Sequence, residues 1–136
     1  MIFVPISYKH LDQMVEIEKE AFDTPWTKNM FIPELSDKYA HYIVGVVGDE
    51  VISYAGYHVA VDEAHMTNVA VKKEYRGKGF GNLTISRLIN DAKLSGLKRM
   101  TLEVKEGNMP AITLYESFGF KPAGVRKNYY VGKLQI

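Results

Sequence analysis

There is no cysteine among the 136 residues, so neither a disulfide framework nor a thiol nucleophile belongs to this chain. That absence fits a reducing compartment. A chain of this length buries a large enough core to fold without such staples, and it predicts one domain over residues 1–136. Long apolar runs are missing too. None approaches the roughly 20 residues that span a bilayer, and MIFVPIS at the start lacks the length and cationic flank of a secretory leader. Charge of one sign is also lacking: 17 Lys and Arg face 16 Asp and Glu, so no global field points to nucleic acid or to a membrane surface. The four histidines, His10, His41, His58 and His65, are scattered without metal-ligand spacing, and no metal is expected. Ser53, Ser86 and Ser117 lie in no nucleophile-elbow pattern. These exclusions predict a cytoplasmic globular domain.

What is present reads as alternating strands and helices. Ile2 to Ile6 predicts a strand. Leu11, Met14, Val15, Ile17, Ala21 and Phe22 then recur at helical spacing, with Glu16, Glu18, Lys19 and Glu20 on the other side. TPWT (24–27) breaks this helix, Thr27 can cap a second short one, and Pro33 kinks or stops it. HYIVGVV and VISYAGYHVA flank Gly48-Asp49-Glu50 as a hairpin, and HMTNVAV (65–71) is a further strand. Leu83 to Leu94 is helix-periodic, and Gly96 suits the position just past its end. RMTLEV (99–104) is a strand, Pro110 opens another helix that stops at Gly119, and FKPAGVRKNYY alternates loosely. The predicted order is β-α-α-β-β-β-α-β-α-β: an α/β (α+β) mixed, mostly antiparallel sheet with flanking helices.

Between the strand NVAV and the helix after it lies EYRGKGFGN (74–82), with Gly77, Gly79 and Gly81 at alternate positions beside Arg76 and Lys78. Glycine takes positive φ and lets a group come close to the backbone. A helix N-terminus offers unpaired N–H groups and partial positive charge to phosphate oxygens. The stretch therefore reads as a phosphate cradle; a plain glycine-rich surface turn is the other reading. It is not a Walker loop, because Asn82-Leu83 follows Gly81, and it lacks the third glycine of a dinucleotide fingerprint. The pattern that remains is R-x-x-G-x-G.

That pattern after NVAV resembles the acetyl-CoA loop of the GNAT N-acetyltransferases. LEVKEGNMPAITLYESFGF (102–120) resembles the second signature of the same family, and PWT with RKNYY resembles its RimI type, the ribosomal-protein-alanine N-acetyltransferases. The resemblance implies a GNAT-like fold and acetyl-CoA as co-substrate. It implies that Val69, Ala70 and Val71 receive the pantetheine arm as an added strand. Arg76, Gly77, Lys78, Gly79, Phe80, Gly81 and Asn82 would wrap the pyrophosphate, with Asn108 touching the cofactor near the next helix. Read alone, Asn108 fits a turn residue before Pro110 equally well.

Acetyl transfer to an amine needs a neutral nitrogen, and an α-amine (pKa about 7.7–8.0) is easier to free than lysine (about 10.4), by about 3.4 kcal/mol. The resemblance likewise implies a protein N-terminus as acceptor, that of alanine in a small-subunit ribosomal protein. Read alone, Glu103 fits a solvated strand-end glutamate and Tyr115 a packing tyrosine. The resemblance makes Glu103 the candidate general base: Leu102 and Val104 point to the opposite strand face, and partial desolvation would raise its pKa. It likewise makes Tyr115 the candidate general acid, one turn after Ala111 on the following helix. Trp26 and Tyr130 are candidate substrate-binding residues, and helix capping suits Trp26 equally. Chains of this type usually run well beyond NYY into a final apolar strand, whereas here VGKLQI ends the sequence. The final strand is thus expected to be short or missing, in a monomer or a weak homodimer covering the exposed edge. A small-molecule amine acetyltransferase and a binding module without acceptor turnover are the competing readings.

Overall fold

The computed structural model describes all 136 residues, Met1–Ile136. Seven strands form one sheet: β1 (Ile2–Pro5), β2 (Ala40–Val47), β3 (Glu50–Ala60), β4 (Glu63–Val71), β5 (Arg99–Lys105), β6 (Lys121–Arg126) and β7 (Tyr129–Gln135). Their spatial order is β1-β2-β3-β4-β5-β7-β6. Every pairing is antiparallel except β4 with β5, which is parallel. The helices are α1 (Leu11–Ala21), α2 (Lys28–Phe31), α3 (Phe80–Leu94) and α4 (Met109–Ser117). A parallel pair needs a crossover, and α3 supplies it between β4 and β5.

Strand alternation divides the core in two. Tyr42, Val44 and Tyr54 pack against Leu11, Met14 and Ile17 of α1 and Phe31 of α2 on one face. Ile43, Ala55 and Tyr57, with Met100, Leu102 and Val104, pack against Ile85, Leu88 and Ile89 of α3 and Ile112 of α4 on the other. Leu88 is fully buried, a position that stabilises the fold by about 1.5–3 kcal/mol relative to exposure.

The expected mixed, mostly antiparallel sheet is present, and so is its last strand. β7 pairs with β5 through all seven of its residues, from Tyr129 opposite Lys105 to Gln135 opposite Arg99. The stretch FKPAGVRKNYY is not one strand: Lys127 (φ 47°) and Asn128 (φ 70°) both take the left-handed conformation and fold β6 back on β7. Two successive positive φ values define the tight hairpin turn whose twist matches its strands, and asparagine tolerates that region. β6 is the sheet edge and all six of its residues are exposed.

Candidate active site

The parallel ladder joins β4 and β5 over three rungs only, ending at His65 opposite Thr101. Beyond that rung the strands part. Near the same place β4 carries a bulge: Met66 pairs with Tyr57 and Val69 with Ala55, so Thr67 and Asn68 together oppose Gly56. The extra residue flips the alternation. Ala64 and Met66 face α3, whereas after the bulge it is Val69 that packs on that side and Ala70 that joins the α1 side. The parting opens a cleft of about 790 Å³, a size usual for small-molecule sites. Val69, Ala70 and Val71 line one wall, Glu103 and Val104 the other, and Asn108 and Tyr115 of the α4 segment close the far side.

At the end of β4 the chain turns into α3 through the glycine stretch. Gly77 (φ 76°) and Gly79 (φ 87°) are left-handed, and Gly79 is the residue that caps α3. The first intrahelical bond runs from Leu83 N to Gly79 O at 3.1 Å, so the N–H groups from Gly77 through Asn82 have no backbone acceptor. Six consecutive free donors beside a helix N-terminus suit a diphosphate, and Gly77 and Gly81 face the cleft. Arg76 is exposed and donates from Nε to Val71 O at 3.0 Å, which fastens the loop to the strand end. The glycines are not equivalent. Gly79→Ala is expected to cost about 1–2 kcal/mol for a left-handed alanine. Gly81 has ordinary φ, and a Cβ there would stand 3.7 Å from Val71 Cγ2, so Gly81→Ala leaves stability unchanged. Thermal melts of the two variants check this, and equal melting points would remove the left-handed requirement.

Glu103 projects from β5 while Leu102 and Val104 are buried beneath it, as strand alternation requires. The side chain is 31 % exposed, faces the cleft and accepts from Arg126 Nη1 at 3.3 Å. Asn108 is the N-cap of α4, with Oδ1 accepting from Ala111 N at 3.3 Å, and it lines the cleft as well; the two readings are compatible. Tyr115 packs edge-on to Phe120 at 5.9 Å, and burial pushes its phenol up to about 12. It stays protonated at neutral pH. Full transfer of its proton to a thiolate of pKa near 8.5 would be uphill by about 5 kcal/mol, which suits this phenol to hydrogen bonding rather than to proton donation.

Other expected site residues sit elsewhere. Tyr130 is 9 % exposed and belongs to the core under α4, because in β7 it is the neighbouring Tyr129 whose side points to the cleft. Trp26 packs on Phe31 at 5.1 Å and covers the α1–α2 core instead of lining the cleft. Lys78 and Phe80 both turn onto the Tyr75 ring, at 5.7 and 5.8 Å, so these two offer main-chain rather than side-chain groups, and Asn82 is exposed. Glu18, expected on the solvent face of α1, is 1 % exposed. Its carboxylate accepts from the Tyr54 hydroxyl, from Asn68 Nδ2 at 3.2 Å and from Trp26 N at 2.8 Å. Burial, then the charge of Glu18, raises the Tyr54 phenol. One carboxylate thus ties the β4 bulge to the loop after α1. The spacing from Met14 to Glu18, one helical turn, carried that signal. Thr67, on the cleft wall, was also missed, because nothing in HMTNVAV marks a bulge.

Comparison with known proteins agrees with this geometry. The profile of the Acetyltransferase (GNAT) family matches residues 11–120. A Bacillus subtilis (strain 168) protein is 40 % identical over 88 % of this chain and 80 % of its own, and bears the designation [ribosomal protein bS18]-alanine N-acetyltransferase provisionally. The Escherichia coli (strain K12) protein of that name is 34 % identical over 84 % of this chain and 76 % of its own. The crystal structure of the Escherichia coli ribosomal-protein-S18-alanine N-acetyltransferase superposes with a TM-score of 0.92 at 26 % identity, covering 99 % of this chain and 93 % of that one. A Thermoplasma acidophilum PaiA N-acetyltransferase solved with coenzyme A shares the fold at 14 % identity, with a TM-score of 0.88 over the full length of both chains. With its split sheet, free amide turn and family profile, the chain belongs to the GNAT family of acetyl-CoA-dependent acetyltransferases.

Proposed function

We propose that this chain acetylates a protein N-terminal α-amine, that of alanine in ribosomal protein bS18, with acetyl-CoA as co-substrate. The observation that carries the reading is one cleft lined both by Gly77 and Gly81 of the free-amide turn and by Glu103 and Tyr115. The names of the relatives supply the acceptor. Acetyl-CoA brings the activated acyl group. The amides of Gly77 to Asn82, with Arg76 close by, bind the diphosphate, and the unpaired edge of Val69, Ala70 and Val71 aligns the pantetheine arm, with Asn108 beside it. The Glu103 carboxylate takes a proton from the attacking nitrogen. The Tyr115 hydroxyl donates a hydrogen bond to the departing sulfur as charge develops there. Residues 1–136 act as one catalytic domain in the cytoplasm; no helix is long and apolar enough to cross a membrane.

Incubation with acetyl-CoA and a panel of N-terminal peptides, read by mass spectrometry, tests this. Acetyl groups are expected on the α-nitrogen of peptides that begin with alanine. Faster turnover of polyamines or aminoglycosides would reassign the acceptor. Calorimetric binding of acetyl-CoA with no amine modified would leave a binding module.

A further inference from the structure

The proposed reaction removes two protons from the acceptor nitrogen. The overall change is R–NH₃⁺ plus acetyl-S-CoA to R–NH–CO–CH₃ plus CoA-SH plus H⁺: one proton ends on sulfur and one must reach bulk water. Glu103 takes the proton that the neutral amine loses on attack and gives it up as the departing thiolate is protonated; the ammonium proton, lost before attack, is the other. A second, separate set of groups is positioned for the other.

Thr67 and Glu103 stand at corresponding places, each two residues beyond the last rung that joins β4 to β5, and both line the cleft. Thr67 Oγ1 lies 2.8 Å from the Tyr42 hydroxyl. Tyr42 donates to Glu34 Oε1 at 3.1 Å, and the same oxygen lies 2.7 Å from His58 Nε2. Glu34 and Tyr42 are buried, whereas the His58 side chain is 40 % exposed. The four groups therefore form an unbroken hydrogen-bonded chain from the cleft wall to solvent. Tyr42 comes from β2, His58 from β3, Thr67 from the β4 bulge and Glu34 from the turn after α2, so the chain exists only in the folded state. Two buried ionisable groups cost free energy unless they are hydrogen-bonded, and the mechanism above uses neither.

We propose that Thr67, Tyr42, Glu34 and His58 form a proton relay that carries the ammonium proton of the acceptor from the filled cleft to bulk water. This rests on the proposed acetylation of an amine. Because Tyr42 donates to Glu34, its oxygen accepts from the Thr67 hydroxyl, which leaves the Thr67 lone pairs free to accept from the ammonium. The protons shift outward in sequence: N–H to Thr67 Oγ1, the Thr67 proton to Tyr42, the Tyr42 proton to Glu34 Oε1, and from there to His58 Nε2, while the proton on the other ring nitrogen leaves to water; rotation of the two hydroxyls and exchange of the ring protons with water restore the starting arrangement. No bond other than these changes and no co-reactant is needed. The other titratable groups around the relay are Asp37, whose carboxylate oxygen lies within 4.8 Å of both Glu34 and His58, Glu18, whose charge acts on Tyr42, and His65, directly opposite His58 across the strands.

The test combines a pH profile with a measurement that needs no turnover. Tyr42→Phe keeps the buried ring and removes the relay hydroxyl; Thr67→Val does the same at the cleft end with little change of shape. With a peptide of amine pKa about 8, each is expected to lower kcat/KM about tenfold at about pH 6.5 and less than about threefold at about pH 9, where the amine arrives neutral. A purely structural role would lower the rate equally at both. Independently, the NMR titration midpoint of the His58 ring is expected to shift by about 0.3 units or more in Thr67→Val, since the chain links the two ends. Equal losses at both pH values, or a His58 midpoint unmoved by Thr67→Val, would overturn the relay. If the wild type modifies no amine at all, the proposed activity fails and the relay with it, whereas the His58 midpoint separately shows whether the hydrogen-bonded chain couples its two ends.

Discussion

Glu103→Gln lowers kcat on an N-terminal peptide by about two to three orders of magnitude, with acetyl-CoA affinity within about twofold of wild type. Glutamine keeps the shape of the side chain and an oxygen that can still accept from Arg126 Nη1, now at 3.3 Å. What it loses is the ability to hold a proton. Leu102 and Val104 remain buried on the opposite face, so the strand is undisturbed. Stopped turnover assays and calorimetry separate the two quantities. Tyr115→Phe is expected to cost less, about ten- to a hundredfold in kcat, because it removes one hydrogen bond to developing charge rather than a base. Its phenol is held near 12, so activity should show no titration of this group between neutrality and about pH 10. Wild-type rates in both variants would mean that neither residue touches the chemistry.

Glu18→Ala lowers stability by about 3 kcal/mol or more, with a fall in melting temperature of roughly 10 °C. The change strands three donors at once: the buried Tyr54 hydroxyl and Asn68 Nδ2, and the half-buried Trp26 N. It also leaves a cavity beside Met14 and Ile17, which are themselves buried. Glu18→Gln keeps an acceptor oxygen and is expected to lose clearly less. The effect is expected to reach the cleft, because Asn68 lies in the β4 bulge beside Thr67 and Val69 of the cleft wall. Calorimetric binding of acetyl-CoA to Glu18→Ala below its melting point should therefore weaken as well. A variant that melts with the wild type would show that the bulge holds itself.

Several features were legible before folding. The GNAT-like order of elements, the turn built on Gly77 and Gly79, and the alternation that aims Glu103 away from Leu102 and Val104 all rest on local rules. Periodicity, positive-φ preference and strand pleat act over a few residues, and those residues are adjacent in the sequence. The hairpin at Lys127-Asn128 obeys a local rule too, yet the aromatic run after it disguised the turn. That one displaced turn decides that Tyr129 rather than Tyr130 faces the cleft.

By itself, the sequence determined the class of the fold, the position of the glycine turn before α3 and the pleat that turns Glu103 away from Leu102 and Val104, because each depends on neighbours in the chain. Only the tertiary structure decided that Glu18 is buried, that β4 bulges at Thr67 and Asn68, and that Thr67, Tyr42, Glu34 and His58 join into one line. Those outcomes depend on groups up to 50 residues apart, as Glu18 and Asn68 are. A buried polar group settles where distant partners can satisfy it, and no local spacing records which partners those will be.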